Sequence, residues 1–193
     1  ACPRYLGQVI RAIDQQAVTP LWMQEKLRRS GLRSIDAVVD ITNYVLLELG
    51  QPLHAFDYDQ IAGKHIIVKT LADKTKFTTL DEVERSLSSE DLMICNGKGE
   101  GMCLAGVFGG LKSGVSNKTT NIFLESAFFN AVSIRRSSMR HLLRTDSATR
   151  FEKGTDPNGT LYALKRAALL IKEYGGGNIA SEVIDIYPNP VKR

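Results

Sequence analysis

The 193-residue sequence has little of what would staple a small fold together or carry the commoner hydrolytic chemistries. Its three cysteines, Cys2, Cys95 and Cys103, are an odd number without metal-ligand spacing, so neither a disulfide framework nor a metal site is expected. Cys95 and Cys103 lie in apolar runs, where small buried thiols are common. With no signal peptide to argue otherwise, this favours a reducing, cytoplasmic setting. The longest apolar runs, such as 44–47 and 167–171, fall far short of the roughly 20 residues a membrane span needs, and a soluble protein is expected. No G-x-S-x-G elbow, H-E-x-x-H pair or C-x-x-C pair occurs, which removes ordinary serine hydrolases, zincins and redox dithiols. Any hydrolysis has to proceed without a protein nucleophile.

What is present is a globular composition: 43% hydrophobic and 24% charged residues, with no low-complexity run, exclude disordered and fibrous classes. A chain of this length buries roughly 70% of its extended surface on folding, enough for one domain with its own core. Because it opens Ala-Cys-Pro rather than with Met, we expect one domain over residues 1–193 that is a piece of a longer protein.

Alternation through Leu6, Val9 and Ile10 predicts a half-buried strand over 4–13. Thr19 as N-cap, Pro20 as first residue and Gly31 as stop frame a helix, and a second runs from a Ser34 cap to Gly50 and Pro52. From Lys64 to Glu125 short β-rich runs separated by turn residues predict strands at 65–71, 76–80, 92–95, 102–107 and 121–129. Helices return at 130–142 and, capped by Asp156 with Pro157 first, at 156–174; a last strand follows at 179–187. Helices and strands are segregated, so the predicted class is α+β, an antiparallel or mixed sheet with helices packed around it. No internal repeat or linker divides the chain.

The sharpest single residue is Glu125, which shares a strand face with Phe123, Ala127 and Phe129. A carboxylate there is costly unless paired or used. It is either half of a buried ion pair with a nearby arginine or a functional group. His54, in what reads as a loop after the second helix, is an acid, base or water-positioning candidate or a histidine satisfied by backbone; His65 and His141 are weaker candidates. The glycine-rich 104–110 matches no phosphate-loop pattern and suits close backbone approach or a tight turn, while 96–101 reads as a flexible hairpin. The net charge is +4, and residues 130–153 hold all of it, with six basic against two acidic side chains. Arg136, Arg140 and Arg144 recur every four residues and form one stripe if the helix continues that far, either a solvated face or a phosphate-contacting one.

Four segments in order, 33–57, 104–110, 123–129 and 144–154, closely resemble the central domain of the β subunit of bacterial phenylalanyl-tRNA synthetase, and the similarity runs from Cys2 to about Pro188. In that family the domain is an editing module that hydrolyses tyrosine wrongly attached to tRNA(Phe), while amino-acid activation resides in the α subunit. The resemblance implies that Glu125 accepts the tyrosine phenol. It implies that His54 and Asn43 lie near the substrate ester and amine as catalytic groups, that Gly109 lines the pocket, and that Thr145 and Ser147 form its opposite wall. Arg136, Arg140 and Arg144 would face tRNA, the α subunit would be the partner in a heterotetramer, and ATP and Mg would serve the complete synthetase, with no cofactor for this domain. Departures are Ser147 where Ala or Ser occurs, Phe108 for a common Met, Lys153 for a usual Arg and Glu82 for a usual turn glycine. Glu125 among Phe123, Phe129 and Phe128 would make an aromatic wall with one acceptor, and N–H groups near Gly109 would polarise the oxyanion. A non-catalytic docking scaffold and a freestanding editing factor are the rival expectations.

Overall fold

The alternation after Pro3 becomes strand β1 (Arg4–Arg11), followed by helices α1 (Leu21–Arg29) and α2 (Ala37–Leu49) and strand β2 (Leu53–Asp57). Six short strands come next: β3 (Ile67–Thr70), β4 (Lys76–Thr78), β5 (Glu84–Ser86), β6 (Leu92–Cys95), β7 (Gly101–Leu104) and β8 (Phe108–Gly109). Strand β9 (Ile122–Phe128) leads into helices α3 (Ala131–His141), α4 (Asp146–Glu152) and α5 (Gly159–Tyr174), and then come β10 (Asn178–Ile179) and β11 (Ile184–Ile186). This is a computed structural model that describes residues 1–191; the last two positions of the expected 1–193 span lie outside the described residues.

The class is α+β, as predicted, in three layers. The main sheet runs β10-β1-β9-β2 with β11 also on β1, every pairing antiparallel. Strand β9 is paired on both edges, by β1 and β2, and covered on both faces, by the helices and by the second sheet, so its alternation divides the core in two. Ile122 and Leu124 join Leu6, Ile10 and Ala55 against Met23, Leu27, Ile41, Val45, Leu164 and Ile171 of the helices. Phe123 and Ala127 join Tyr5 and Phe56 against the second sheet, β3-β6-β7-β8, through Met93, Met102 and Leu104. Each fully buried Leu or Ile in these layers stabilises the fold by roughly 1.5–3 kcal/mol. Glu125 falls on the second of these faces.

Several local expectations yield to tertiary contacts. Thr19 does not cap α1: Pro20 takes that place with no side-chain bond, and the Thr19 hydroxyl donates to Asp40 at 2.6 Å. Ser34 does not cap α2 either; Asp36 does, accepting from the Val38 and Val39 N–H groups, while Ser34 also donates to Asp40. Asp40 is fully buried, and with the Ile35 N–H at 2.8 Å it collects three donors that tie the approach to α1 to the body of α2. A buried carboxylate without donors costs more than a helix end that water can reach, so both hydroxyls turn to Asp40. Residues 53–57, expected as loop, form β2 because β9 offers a complete edge for pairing. The helix expected from Asp156 starts at Gly159, and the short helix α4 has no counterpart among the sequence-based expectations.

Asp40→Ala should destabilise the fold by about 3 kcal/mol in urea unfolding, since it strands three donors bound to a charged acceptor. A loss under about 1 kcal/mol would mean the cluster relaxes to solvent and is not a clasp.

Candidate active site

The site grows from the pairing of three strands. In the antiparallel register Glu125 of β9 stands directly opposite His54 of β2 on one side and Gly7 of β1 on the other. Gly7 has to be glycine, because a Cβ there would lie 1.9 Å from the Phe123 ring, which crosses the strand at that point. Tyr5, two residues earlier on the same face, then reaches diagonally to Glu125, and its phenol donates to Oε2 at 2.6 Å. The arginine ion pair considered for Glu125 does not form. A neutral phenol takes that place.

All six residues expected at the pocket line one cavity of about 250 Å³: Asn43 from α2, His54, Glu125, Gly109 of β8, Thr145 and Ser147. The volume is small beside drug-sized sites and of the order of one aromatic amino acid. A larger hollow of about 850 Å³ along α1, lined by Leu21, Trp22 and Arg28, holds none of these groups. The aromatic wall is not the one expected. Phe123 and Phe129 are buried in the core, and Phe108 and Phe151 line the cavity instead.

Glu125 is 5% exposed, and burial lifts its carboxyl to about 7, an effect the Tyr5 hydrogen bond partly offsets. His54 moves the other way. Burial lowers its imidazole to about 4, so the ring is neutral at physiological pH. Its Nε2 is enclosed and has no hydrogen-bond partner among the described residues, while the ring stacks edge-on against Phe56 at 4.5 Å. Asn43 likewise makes no side-chain hydrogen bond among the described residues. Gly109 is tight against the histidine: a Cβ there would lie 3.1 Å from His54 Cε1 and 2.8 Å from Leu80 Cδ1. The site therefore presents one buried acceptor and two unengaged nitrogen-bearing side chains.

Thr145 and Ser147 act as masonry. Thr145 Oγ1 accepts from the Ala148 N–H, capping α4, and donates to the Val107 carbonyl at 2.7 Å, while Ser147 donates to the Gly106 carbonyl at 3.0 Å. With their hydroxyls engaged, both shape the wall without offering donors to a ligand. The oxyanion donors expected near Gly109 are fewer than anticipated, since the Gly110 and Val107 N–H groups bond to the Met102 and Leu104 carbonyls.

The arginine stripe is broken. Helix α3 ends at His141 with Leu142 in the left-handed region, so Arg144 leaves the row. Arg140 is held by Glu90 and by the fully buried Asp91, which also binds Ser137 and His141. Arg136 and Arg144 remain exposed. Arg144 lies with Arg135, Lys153, Met139 and Leu142 along an open cleft between α3 and α4. Sequence reasoning missed Tyr5, Cys103 and Leu80 at the site. Tyr5 carries no local signal, because its partner is 120 positions away.

A profile for the B3/4 domain matches residues 1–176. The chain belongs to the B3/4 domain family. Over 186 residues, 96% of the chain, it is 54% identical to the phenylalanine-tRNA ligase β subunit of Bacteroides thetaiotaomicron. Over its whole length it is 56% identical to that of Porphyromonas gingivalis. This B3/4 domain spans 22% and 23% of those two relatives. Its fold is shared with an N-terminal fragment of the phenylalanyl-tRNA synthetase β subunit from Pyrococcus horikoshii, at TM-score 0.58 and 12% identity, covering 99% of this chain and 52% of that one.

The two titrating groups at the cavity pull stability in opposite directions. The raised Glu125 contributes stability that is full below about 4.5 and lost as pH rises through about 7, whereas the lowered His54 contributes stability that is full above about 6.5 and lost as pH falls through about 4. The pair should nearly cancel between those limits. Glu125→Gln should leave stability rising with pH over that window by about 3 kcal/mol, measured by urea unfolding; a variant with the parent's flat profile would contradict the assignment.

Proposed function

We propose that this B3/4 domain is the editing module of a phenylalanine-tRNA ligase β subunit and hydrolyses tyrosine from mischarged tRNA(Phe). The observation that carries the reading is the convergence of His54, Asn43 and Glu125 on one cavity sized for an aromatic amino acid. Its physical logic is asymmetric. A pocket that merely accommodates phenylalanine discriminates poorly against an added hydroxyl, whereas a buried acceptor left unpaired disfavours the analogue lacking it. Glu125, in a cavity that Phe108 and Phe151 also line, supplies such a site: the tyrosine phenol donates to the carboxylate, and phenylalanine leaves it bare.

In the chemistry we infer, water attacks the ester carbonyl, the carbon–ribose oxygen bond breaks, and the proton passes to the ribose hydroxyl, releasing tyrosine and free tRNA. Neutral His54 orients the water by accepting its hydrogen bond through an unprotonated nitrogen, because a ring that titrates near 4 stores a proton poorly at neutral pH. The Asn43 amide serves the substrate amine or the carbonyl oxygen. No cofactor enters this scheme; ATP and Mg would serve activation in the complete synthetase with the α subunit, in the cytoplasm. A scaffold without turnover gives no reason for an unpartnered buried Nε2 and a desolvated carboxylate to share a cavity. Among the described residues no helix is long and apolar enough to cross a membrane.

For tRNA the exposed Arg136 and Arg144, joined by Arg135 and Lys153 of the α3–α4 cleft, replace the unbroken stripe as the phosphate-facing group. Arg140 serves the fold through Asp91.

In the full-length enzyme Glu125→Ala should slow deacylation of tyrosyl-tRNA(Phe) on the order of 100-fold and abolish its discrimination from phenylalanyl-tRNA, which no longer leaves a carboxylate unpaired. Parental clearance of the tyrosyl ester by this variant would overturn the reading. Replacing Arg135, Arg136 and Arg144 together with Gln should lower the slope of log affinity against log salt for tRNA by about 2. An unchanged slope returns these side chains to a solvated surface.

A further inference from the structure

Glu125 has two carboxylate oxygens and, among the described residues, one hydrogen-bond partner. Tyr5 donates to Oε2 at 2.6 Å, and Oε1 receives no hydrogen bond although Glu125 lines the cavity. The titratable groups around this carboxylate are Tyr5 from β1, His54 from β2, Cys103 from β7 and Cys2 from the N-terminal segment, and Asp146 of α4 lines the same cavity. None is a cation at neutral pH: burial keeps His54 neutral, and both thiols are raised, Cys2 to about 12. Tyr5 is thus the group positioned to stabilise a negative charge on Glu125. Its phenol is itself raised well above its ordinary value, by burial first and by Glu125 second, and so stays a donor throughout.

We propose that Tyr5 is a positioning residue for tyrosine specificity: by donating to Oε2 it favours the ionised Glu125 carboxylate and leaves Oε1 presented to the cavity as an acceptor for a second, incoming phenol. The inference rests on the editing reading above. The two phenols, one built into β1 and one on the substrate, would share one carboxylate. Without the resident phenol the buried carboxyl takes up a proton more readily near neutral pH and becomes a neutral, weaker acceptor, so its preference for tyrosine over phenylalanine falls. A charged acceptor binds a phenol about twice as strongly as a neutral one. Geometry supports the pairing independently of charge. Tyr5 stands opposite Ala127, two residues from Glu125 along β9, so the phenol reaches the carboxylate diagonally, while Gly7, opposite Glu125, leaves room for the Phe123 ring.

The test follows the Glu125 carboxyl carbon by NMR titration of the full chain, in the parent and in Tyr5→Phe, which keeps the ring. The parent should titrate near 7 and Tyr5→Phe at least about one unit higher, a tenfold weaker acid. In the full-length enzyme at pH 7, the KM for tyrosyl-tRNA(Phe) should rise about fivefold with kcat little changed, and should recover as pH is raised past the new midpoint. A merely structural tyrosine would lower the melting temperature and leave both the midpoint and the pH-dependent KM where they were. An unmoved midpoint in a folded Tyr5→Phe overturns the inference. Should that variant not fold, the Tyr5 ring carbon bearing the hydroxyl in the parent must shift with the Glu125 midpoint; if it does not respond, the inference falls. If Tyr5→Phe raises the midpoint but the parent enzyme does not deacylate tyrosyl-tRNA, the editing reading fails and the charge-holding role of Tyr5 stands.

Discussion

Strand β9 is buried on both faces, and one of its inward positions is a carboxylate. The main sheet needs β9 as its centre, since β1 and β2 both pair with it, and no solvent-facing register is available to Glu125 without turning Leu124 and Ile122 away from the helices. The fold therefore carries an ionisable group into its interior as a condition of forming its core. The local arrangement answers that constraint: the Tyr5 phenol, the glycine at position 7 that makes room for the Phe123 ring, and the small cavity that Glu125 lines.

The same constraint sets the chemistry. Desolvation pushes Glu125 up and His54 down, which leaves at neutral pH an acceptor near its titration point beside a neutral imidazole. Burying either group costs stability relative to an apolar side chain in its place. A purely structural core would replace both with apolar side chains of similar volume. Their presence together, with Asn43 unengaged and Gly109 kept bare against the histidine ring, makes sense for a site that binds a ligand with one hydroxyl at its aromatic end and an ester at the other. The walls are held by their own contacts: Thr145 and Ser147 lock α4 onto the Gly106–Val107 turn with their hydroxyls.

Much of this is legible in the sequence where the signal is local. The period-two run through β9, the helical spacing of α2 and the apolar stripe of α5 declare themselves, and Glu125 stands out because its strand face is otherwise apolar. What is illegible depends on distant partners. Strand β2 is too short to show a period and exists because β9 completes it, so His54 reads as a loop residue although it faces Glu125 in register. Thr19 and Ser34 have the form of caps and are drawn to Asp40, a competition no window of sequence reveals. The arginine spacing holds only as far as the helix does, and Leu142 in the left-handed region ends it two residues before Arg144. Phe123 and Phe129 flank Glu125 along the chain but do not line the cavity, whereas Phe108 and Phe151, remote in sequence, do, Phe151 from within the same core cluster.

The central claim is that one buried carboxylate reads the presence of a phenol. Isothermal titration of the full-length enzyme with two non-hydrolysable amide analogues of the charged tRNA terminus, tyrosyl-adenosine and phenylalanyl-adenosine, tests it without relying on turnover. Binding of the tyrosyl analogue at least about tenfold tighter than the phenylalanyl one, with the gap closing in Glu125→Ala, is the result the account predicts. Equal affinity for the two analogues in the parent protein would contradict it.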